Sequence, residues 1–416
     1  MSRKKYAINL SCGQTDLYPS ALAEMGKQLH TPIYYLPYYE LEIACIKQLQ
    51  TMMHTKNDVL TLVGTATYGE EAAMMSTLER GDRVLTVNTG VFGQVLTDVA
   101  RAVGAEPTEI KLPAGHSITP EQVQEALRQD PTIKMVAVVQ VETSRGTVNP
   151  VDAIGYMLQR EFPHILYLVD AVSGLAATEL RVDEWGIDLC CTSSQKAVNA
   201  PQGVAIVSVS PKAWKVMEER KTPIYSLCLD LLYWRHYHQG VRQAQAHWYD
   251  EGPSDPALSH YKAAHGPSQS YVLMKALKAS LDEIMEEGLE NVLRRHKVAS
   301  RALRAGIRAM GLQTLASEEN AAPDATCVVV PGEQFDVRRF MRLMWEEYGI
   351  ATAGGSPSRE AQGYVGFRVG TMGFVAAPES VYAFLSALEQ VLPRMGYTVK
   401  AGAALPAAQA VFAAGE

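Results

Sequence analysis

Two titratable residues stand where charge is out of place. Lys196 lies in DLCCTSSQKAVNAPQG (188–203), where an apolar run gives way to small hydroxyl residues, one lysine and the turn formers Asn199, Pro201 and Gly203. Asp170 closes a second apolar run, HILYLVD (164–170), and is followed by Ala171-Val172-Ser173. Both runs read as strands, and in open α/β sheets ligands gather beyond the carboxyl ends of strands. An acid and an amine in one such cleft suit pyridoxal phosphate. The amine forms a Schiff base with the aldehyde, and the carboxylate keeps the pyridine nitrogen protonated. Spacing alone favours a buried ion pair or two unrelated charges, since an aspartate at a strand end is common.

A phosphate needs a cradle. VGTATYGEEAA puts Gly64-Thr65-Ala66-Thr67 after an apolar strand and at the start of a helix. Free N–H groups and the helix dipole there would hold a dianion, with the Thr65 and Thr67 hydroxyls as extra donors. Plain N-capping by a threonine is the other reading, and the pattern is neither Walker A nor GxGxxG. NTGVFGQ (88–94) ends a further strand with Phe92, able to stack on a planar ring or to fill core. YVGFRVGTMG sets Arg368 in an apolar strand. A guanidinium there needs an anion: a substrate carboxylate or an internal acid. The clues are individually weak; their order, phosphate turn, aromatic, acid, lysine and late arginine, is stronger.

Positioning these residues requires a layered α/β frame. The runs 58–64, 82–88, 134–141, 164–170, 187–193 and 203–210 are rich in β-branched residues, and helical patterns such as 70–79, 93–104 and 119–130 fall between several of them. Continuous apolar strands alternating with helices signal a mainly parallel sheet covered on both faces. Segment 211–272 is rich in Tyr, Trp, His and Gln, and 271–311 reads as one long helix. Beyond it, shorter strands (TCVVVPG, GFRVGTMG) alternate with helices (VRRFMRLMWEEYG, PESVYAFLSALEQVL), the pattern of a smaller α+β domain, and the Ala-rich tail reads as a short helix. The expected division is an N-terminal segment 1–20, a large domain 21–285 and a small C-terminal domain 286–416.

Bulk properties exclude several classes. The chain has 416 residues, net charge −7 and 47% hydrophobic content. No basic run suits nucleic acid, and no stretch approaches the ~18 apolar residues of a membrane span. The start MSRKKYAINLSCGQTD lacks the apolar segment of a signal peptide. Six cysteines form no CxxC, which points to a reducing cytoplasm rather than to zinc or a disulfide framework. His236, His238 and His247 lack a carboxylate or thiolate at ligand spacing and read as surface or interface residues, so no metal is expected.

Over nearly its whole length the chain resembles the class V aminotransferases of PLP fold type I, in the alanine–glyoxylate/serine–pyruvate group. VDAVSG and SSQKAVNAPQG resemble that family's aspartate and Schiff-base lysine blocks, GTATYGEEAA its phosphate turn, TGVFGQ its aromatic block and FRVGTMG its carboxylate-binding arginine block. VETSRGTVNPVDAIG resembles the block whose hydroxyls touch the cofactor, which implicates Thr143 and Ser144. GTVNPVDAIG, AGGSPSREAQGYVGFRVGTMG and the tail resemble the pyridoxamine–pyruvate branch. That branch carries an acid in the phosphate turn; Thr65 here implies ordinary bound pyridoxal 5'-phosphate.

The resemblance implies a seven-stranded large-domain sheet and a homodimer with shared active sites. It also implies a transfer of an amino group from a small amino donor to a 2-oxo acid such as pyruvate or glyoxylate. By it, Lys196 carries the Schiff base and shuttles the proton, and Asp170 holds the pyridinium. Phe92 and Val172 flank the ring, while Thr65, Ala66, Thr67 and Gln195 bind phosphate. Arg368, helped by Arg359, grips the substrate carboxylate, and Tyr35, with Tyr34 and Tyr38, lines the substrate mouth. The family's stacking residue is often tryptophan rather than Phe92. His265 stands where the partner subunit's threonine usually meets the phosphate. A PLP-dependent lyase or decarboxylase is the alternative outcome on this scaffold. Its desulfurase form needs a reactive late cysteine, which Cys327 in TCVVV does not resemble. A silent binding protein would not need Lys196, Asp170 and Arg368 together.

Overall fold

The computed structural model describes residues 7–246, 269–356 and 363–415. After a short strand, β1 (Ile8–Leu10), the chain builds a large sheet from β2 (Asp58–Val63), β3 (Arg83–Asn88), β4 (Glu106–Lys111) and β5 (Ile133–Val139). A hairpin of β6 (Val141–Glu142) and β7 (Thr147–Val148) follows, and β8 (Leu166–Asp170), β9 (Leu189–Ser193) and β10 (Val204–Val209) complete the sheet. The order is β2-β10-β9-β8-β5-β3-β4. Strands β4, β3, β5, β8 and β9 run parallel, while β10 is antiparallel to both its neighbours. The β9–β10 connection is too short for a crossover helix, so the chain must return antiparallel.

Every residue of β8, β9 and β10 is buried. Adjacent residues such as Val59 and Leu60, Leu85 and Val84, or Tyr167 and Leu168 fall into separate cores on the two faces, the two-residue period of a strand covered on both sides. The apolar runs of the sequence therefore coincide with the central strands. The edge strand β4 (EPTEIK) carried no such signal. It is half-exposed, and pairing with β3 from Arg83↔Glu106 to Asn88↔Lys111 holds it in place.

The expected long helix at 271–311 is two helices. Gly288, at φ 85°, caps Tyr271–Glu287 and opens Leu289–Ala309. A residue with a Cβ is strained at that φ, so glycine marks the break.

The second sheet gathers β11 (Gln313–Thr314), β12 (Ala325–Val329), β13 (Ile350–Gly354) and β14 (Gly366–Gly370) in the order β1-β13-β14-β12-β11. Its strand β1 comes from the far end of the chain, pairing parallel to β13 from Ile8↔Ile350. A separate core with Leu10, Leu303, Phe384 and Leu388 covers this sheet, and in it Phe340 and Phe367 stack at 4.1 Å. Because β1 is tied here, the segment that follows it is drawn across to the large sheet.

Candidate active site

Asp170 is the last residue of β8, in register with Cys191 of β9. Its carboxyl is 4% exposed, and Oδ1 accepts the Val172 N–H at 2.8 Å. Burial pushes it up to about 7 and the Glu142 charge adds to the rise, against the pull of the Val172 N–H and Lys196. Lys196 lies in the loop after β9 and is 7% exposed. Its Nζ donates to the Cys12 carbonyl at 2.6 Å and stands 5.9 Å from the centroid of the Phe92 ring. Burial holds the amine below its ordinary pKa; Cys12, Asp324 and Asp170 oppose that shift and Arg368 adds to it.

The lysine loop is braced from outside. Thr15 donates its N–H to Gln195 O (3.1 Å) and its hydroxyl to Lys196 O (3.0 Å). Asn199, at φ 53°, gives Nδ2 to Asp16 O (2.8 Å) and accepts the Phe374 N–H on Oδ1 (2.9 Å). Asparagine is among the few residues that tolerate this left-handed conformation. Residues 12–18 thus form one wall of the lysine loop, a role that nothing in their own pattern announces.

Helix Ala66–Thr77 begins directly after β2. Thr65 is its extended N-cap, yet its hydroxyl makes no capping hydrogen bond. The Ala66 and Thr67 N–H groups belong to the first turn, which has no intrahelical acceptor. Gly64 is required by space, since a Cβ would come within 2.8 Å of the Tyr68 side chain. Thr65 and Thr67 are exposed and Ala66 is buried.

On the opposite side, Glu142 organises helix Val91–Ala102. Its Oε2 accepts the N–H groups of Phe92 (3.0 Å) and Gly93 (3.1 Å), and its Oε1 that of Ser144 (3.1 Å). Ser144 Oγ accepts the Val91 N–H at 2.9 Å. Thr143 is fully buried, its hydroxyl has no hydrogen-bond partner, and its carbonyl accepts Arg368 Nη1 at 3.4 Å. Arg368, on β14, also donates Nε to Gly354 O at 2.6 Å. An unbroken set of contacts therefore joins Lys196, Phe92, Glu142, Ser144, Thr143 and Arg368.

Gln195 is buried with Oε1 unpartnered, and Val172 is half-buried beside Asp170. Tyr35 is 42% exposed at the N-cap of helix Leu36–Met52, its ring 5.8 Å from that of Tyr34. Tyr38 is fully buried, edge-on to Tyr271 at 5.0 Å. His265 and Arg359 lie outside the described residues, as does His247. Cys327 is buried in β12, where its Sγ donates to Ser144 O at 3.6 Å.

Sequence reasoning missed three acids. Glu142 preceded the Thr-Ser pair in plain view, but only its cap geometry gives it a role. Glu70, buried on the phosphate-turn helix, is raised well above the ordinary carboxylate range by burial and then by the Asp170 charge. Asp324 is buried near Lys196.

These residues fit pyridoxal phosphate. The uncapped helix start offers free N–H donors to a phosphate. The buried, unpartnered Thr143 Oγ1 and Gln195 Oε1 are polar atoms whose hydrogen bonds the protein itself does not supply. An amine, a carboxylate and an aromatic face converge beside them.

Comparison with known proteins agrees. Residues 44–223 match the family described as aminotransferase class-V. An uncharacterized aminotransferase of Methanocaldococcus jannaschii is 33% identical over 85% of this chain and 85% of its own. The crystal structure of ureidoglycine–glyoxylate aminotransferase from Bacillus subtilis superposes with a TM-score of 0.86 at 29% identity, covering 99% of each chain. That of pyridoxamine–pyruvate aminotransferase from Mesorhizobium loti gives 0.86 at 28% identity, covering 100% of this chain and 99% of that one.

Proposed function

The chain belongs to the class-V aminotransferases, and from that premise we propose how its own residues perform a pyridoxal phosphate-dependent transfer of an amino group to pyruvate or glyoxylate. The observation that carries the assignment is the burial of Asp170 at the end of β8 and of Lys196 in the loop after the adjacent β9, with the Phe92 ring centroid 5.9 Å from the amine. When bound, the cofactor supplies an aldehyde that condenses with amines and a ring that withdraws electrons from the substrate Cα–H bond.

Lys196 would hold the cofactor and, as a free amine, would move a proton at the substrate Cα. Its depressed pKa suits that task, since the base must be neutral to accept. Asp170, buried at the end of β8, would pair with the ring nitrogen, and Phe92 and Val172 would flank the ring. Thr65, Ala66, Thr67 and Gln195 hold the phosphate, and Thr143 and Ser144 line the cofactor's edge. Arg368 takes the substrate carboxylate; Arg359 and Tyr35 assist substrate recognition and His265 reaches a phosphate, roles that rest on the family resemblance. The buried Cys327 gives a desulfurase outcome no nucleophile.

We read the enzyme as a homodimer with shared sites, supported by the resemblance and by the exposed apolar residues Leu22, Tyr34 and Tyr35 near the N-terminus. Six unpaired thiols support a cytoplasmic reading, and among the described residues no helix is long and apolar enough to cross a membrane.

The test is a pair of half-reactions followed by absorbance. An amino donor converts the bound cofactor from its aldehyde to its amine form, and pyruvate or glyoxylate restores it. Return of the aldehyde form with a released side-chain fragment or carbon dioxide would instead establish a lyase.

A further inference from the structure

Asp324 is fully buried, and among the described residues neither Oδ1 nor Oδ2 has a side-chain hydrogen-bond partner. A carboxylate removed from water without donors is costly, so an unpartnered one calls for an explanation. Its main chain is held firmly. The Asp324 carbonyl accepts the Thr371 N–H at 2.8 Å, and the next residue, Ala325, pairs with Gly370 of β14.

The position of this strand end ties it to the lysine. Ala322 and Ala325, on either side of Asp324, pack with Cys12, Val141 and Met372 in one small apolar cluster. Gly370 permits that approach, because a Cβ there would collide with the Ser11 carbonyl. Cys12 is the residue whose carbonyl receives the Lys196 ammonium. The strand end that carries Asp324 and the Lys196 amine thus meet the same short segment, one from the small sheet and one from the large.

We propose that Asp324 is a positioning residue for Lys196: a buried carboxyl whose charge favours the ammonium form that donates to the Cys12 carbonyl. Burial pushes Asp324 up to about 7 while the Lys196 charge pulls it down, and burial lowers Lys196 from its side. The other groups facing the amine are the Cys12 thiol, held up to about 11 by burial, Asp170, and Arg368. This inference rests on Lys196 being the lysine that holds the cofactor.

The test titrates the amine itself. In the full-length chain stripped of cofactor, labelling of Lys196 by an amine-reactive reagent is followed against pH by mass spectrometry. Asp324→Asn removes the anion that favours the ammonium, so the labelling midpoint should fall by about one pH unit or more. Asp324→Glu should return it toward the wild-type value. An unmoved midpoint in Asp324→Asn overturns the proposal, as does an Asp324→Glu midpoint that stays with Asp324→Asn, which would assign the effect to packing. Asp324→Ser serves in place of the asparagine variant if that one does not fold. Failure of the underlying assignment reads differently: Lys196→Ala would then still bind the cofactor covalently.

Discussion

Lys196 Nζ sits 2.6 Å from the carbonyl oxygen of Cys12, a residue 184 positions earlier in the chain. The amine is thus oriented by the segment between β1 and the first helix, and that segment is oriented by the small sheet. Removing the amine should therefore act on chemistry rather than on assembly. Lys196→Ala should abolish the visible band of covalently held cofactor and lower turnover by about 10²–10⁴-fold or more, while far-ultraviolet circular dichroism stays that of the wild type.

Arg368 spends Nε on Gly354 O and Nη1 on Thr143 O, which aims its guanidinium from β14 toward the Thr143 turn. Arg368→Ala should cost about 2–5 kcal/mol in recognition of a carboxylate substrate, a loss of roughly 30-fold or more in kcat/KM. Cofactor affinity, measured by absorbance titration, should change far less. Equal losses in both would remove Arg368 from the substrate site.

Glu142 accepts three main-chain N–H groups, those of Phe92, Gly93 and Ser144. Glu142→Ala leaves buried donors unsatisfied, at about 1–3 kcal/mol each, so thermal unfolding should shift down by several degrees. The variant also removes a charge that raises Asp170, so the Asp170 carboxyl should ionise at lower pH, a shift measurable by NMR in the unliganded chain.

His296 is fully buried; its Nε2 accepts the Gly373 N–H at 2.8 Å, and Nδ1 lies 2.7 Å from Val292 O. Burial, with the nearby Arg295 charge, lowers it to about 3. The neutral ring is therefore the folded form. Its contribution to stability is complete above the ordinary histidine range near 6.5 and is lost as pH falls toward about 3. Denaturant midpoints recorded from pH 7 to pH 4 should decline in the wild type. They should decline less steeply in His296→Asn, from a lower starting value.

The sequence by itself announced most strands of the large sheet. Runs such as LYLVD and VAIVSV announce strands covered on both faces, because burial on two sides demands continuous apolar side chains. Asp170 ends the first of these runs, and Lys196 follows the LCCTS run by three residues. What local pattern could not carry was pairing across distance. Strand β4 is held by β3 rather than by its own apolar content, Gly288 divides the helical stretch through its backbone angle, and Glu142 has its role only because Phe92 and Gly93 reach it. Tertiary structure alone decided that Cys12 would receive the Lys196 amine on its carbonyl while packing with Ala322 and Ala325, far along the chain. Periodicity reports which face of an element is buried; it holds no record of which distant residue supplies the other half of a hydrogen bond or a charge pair.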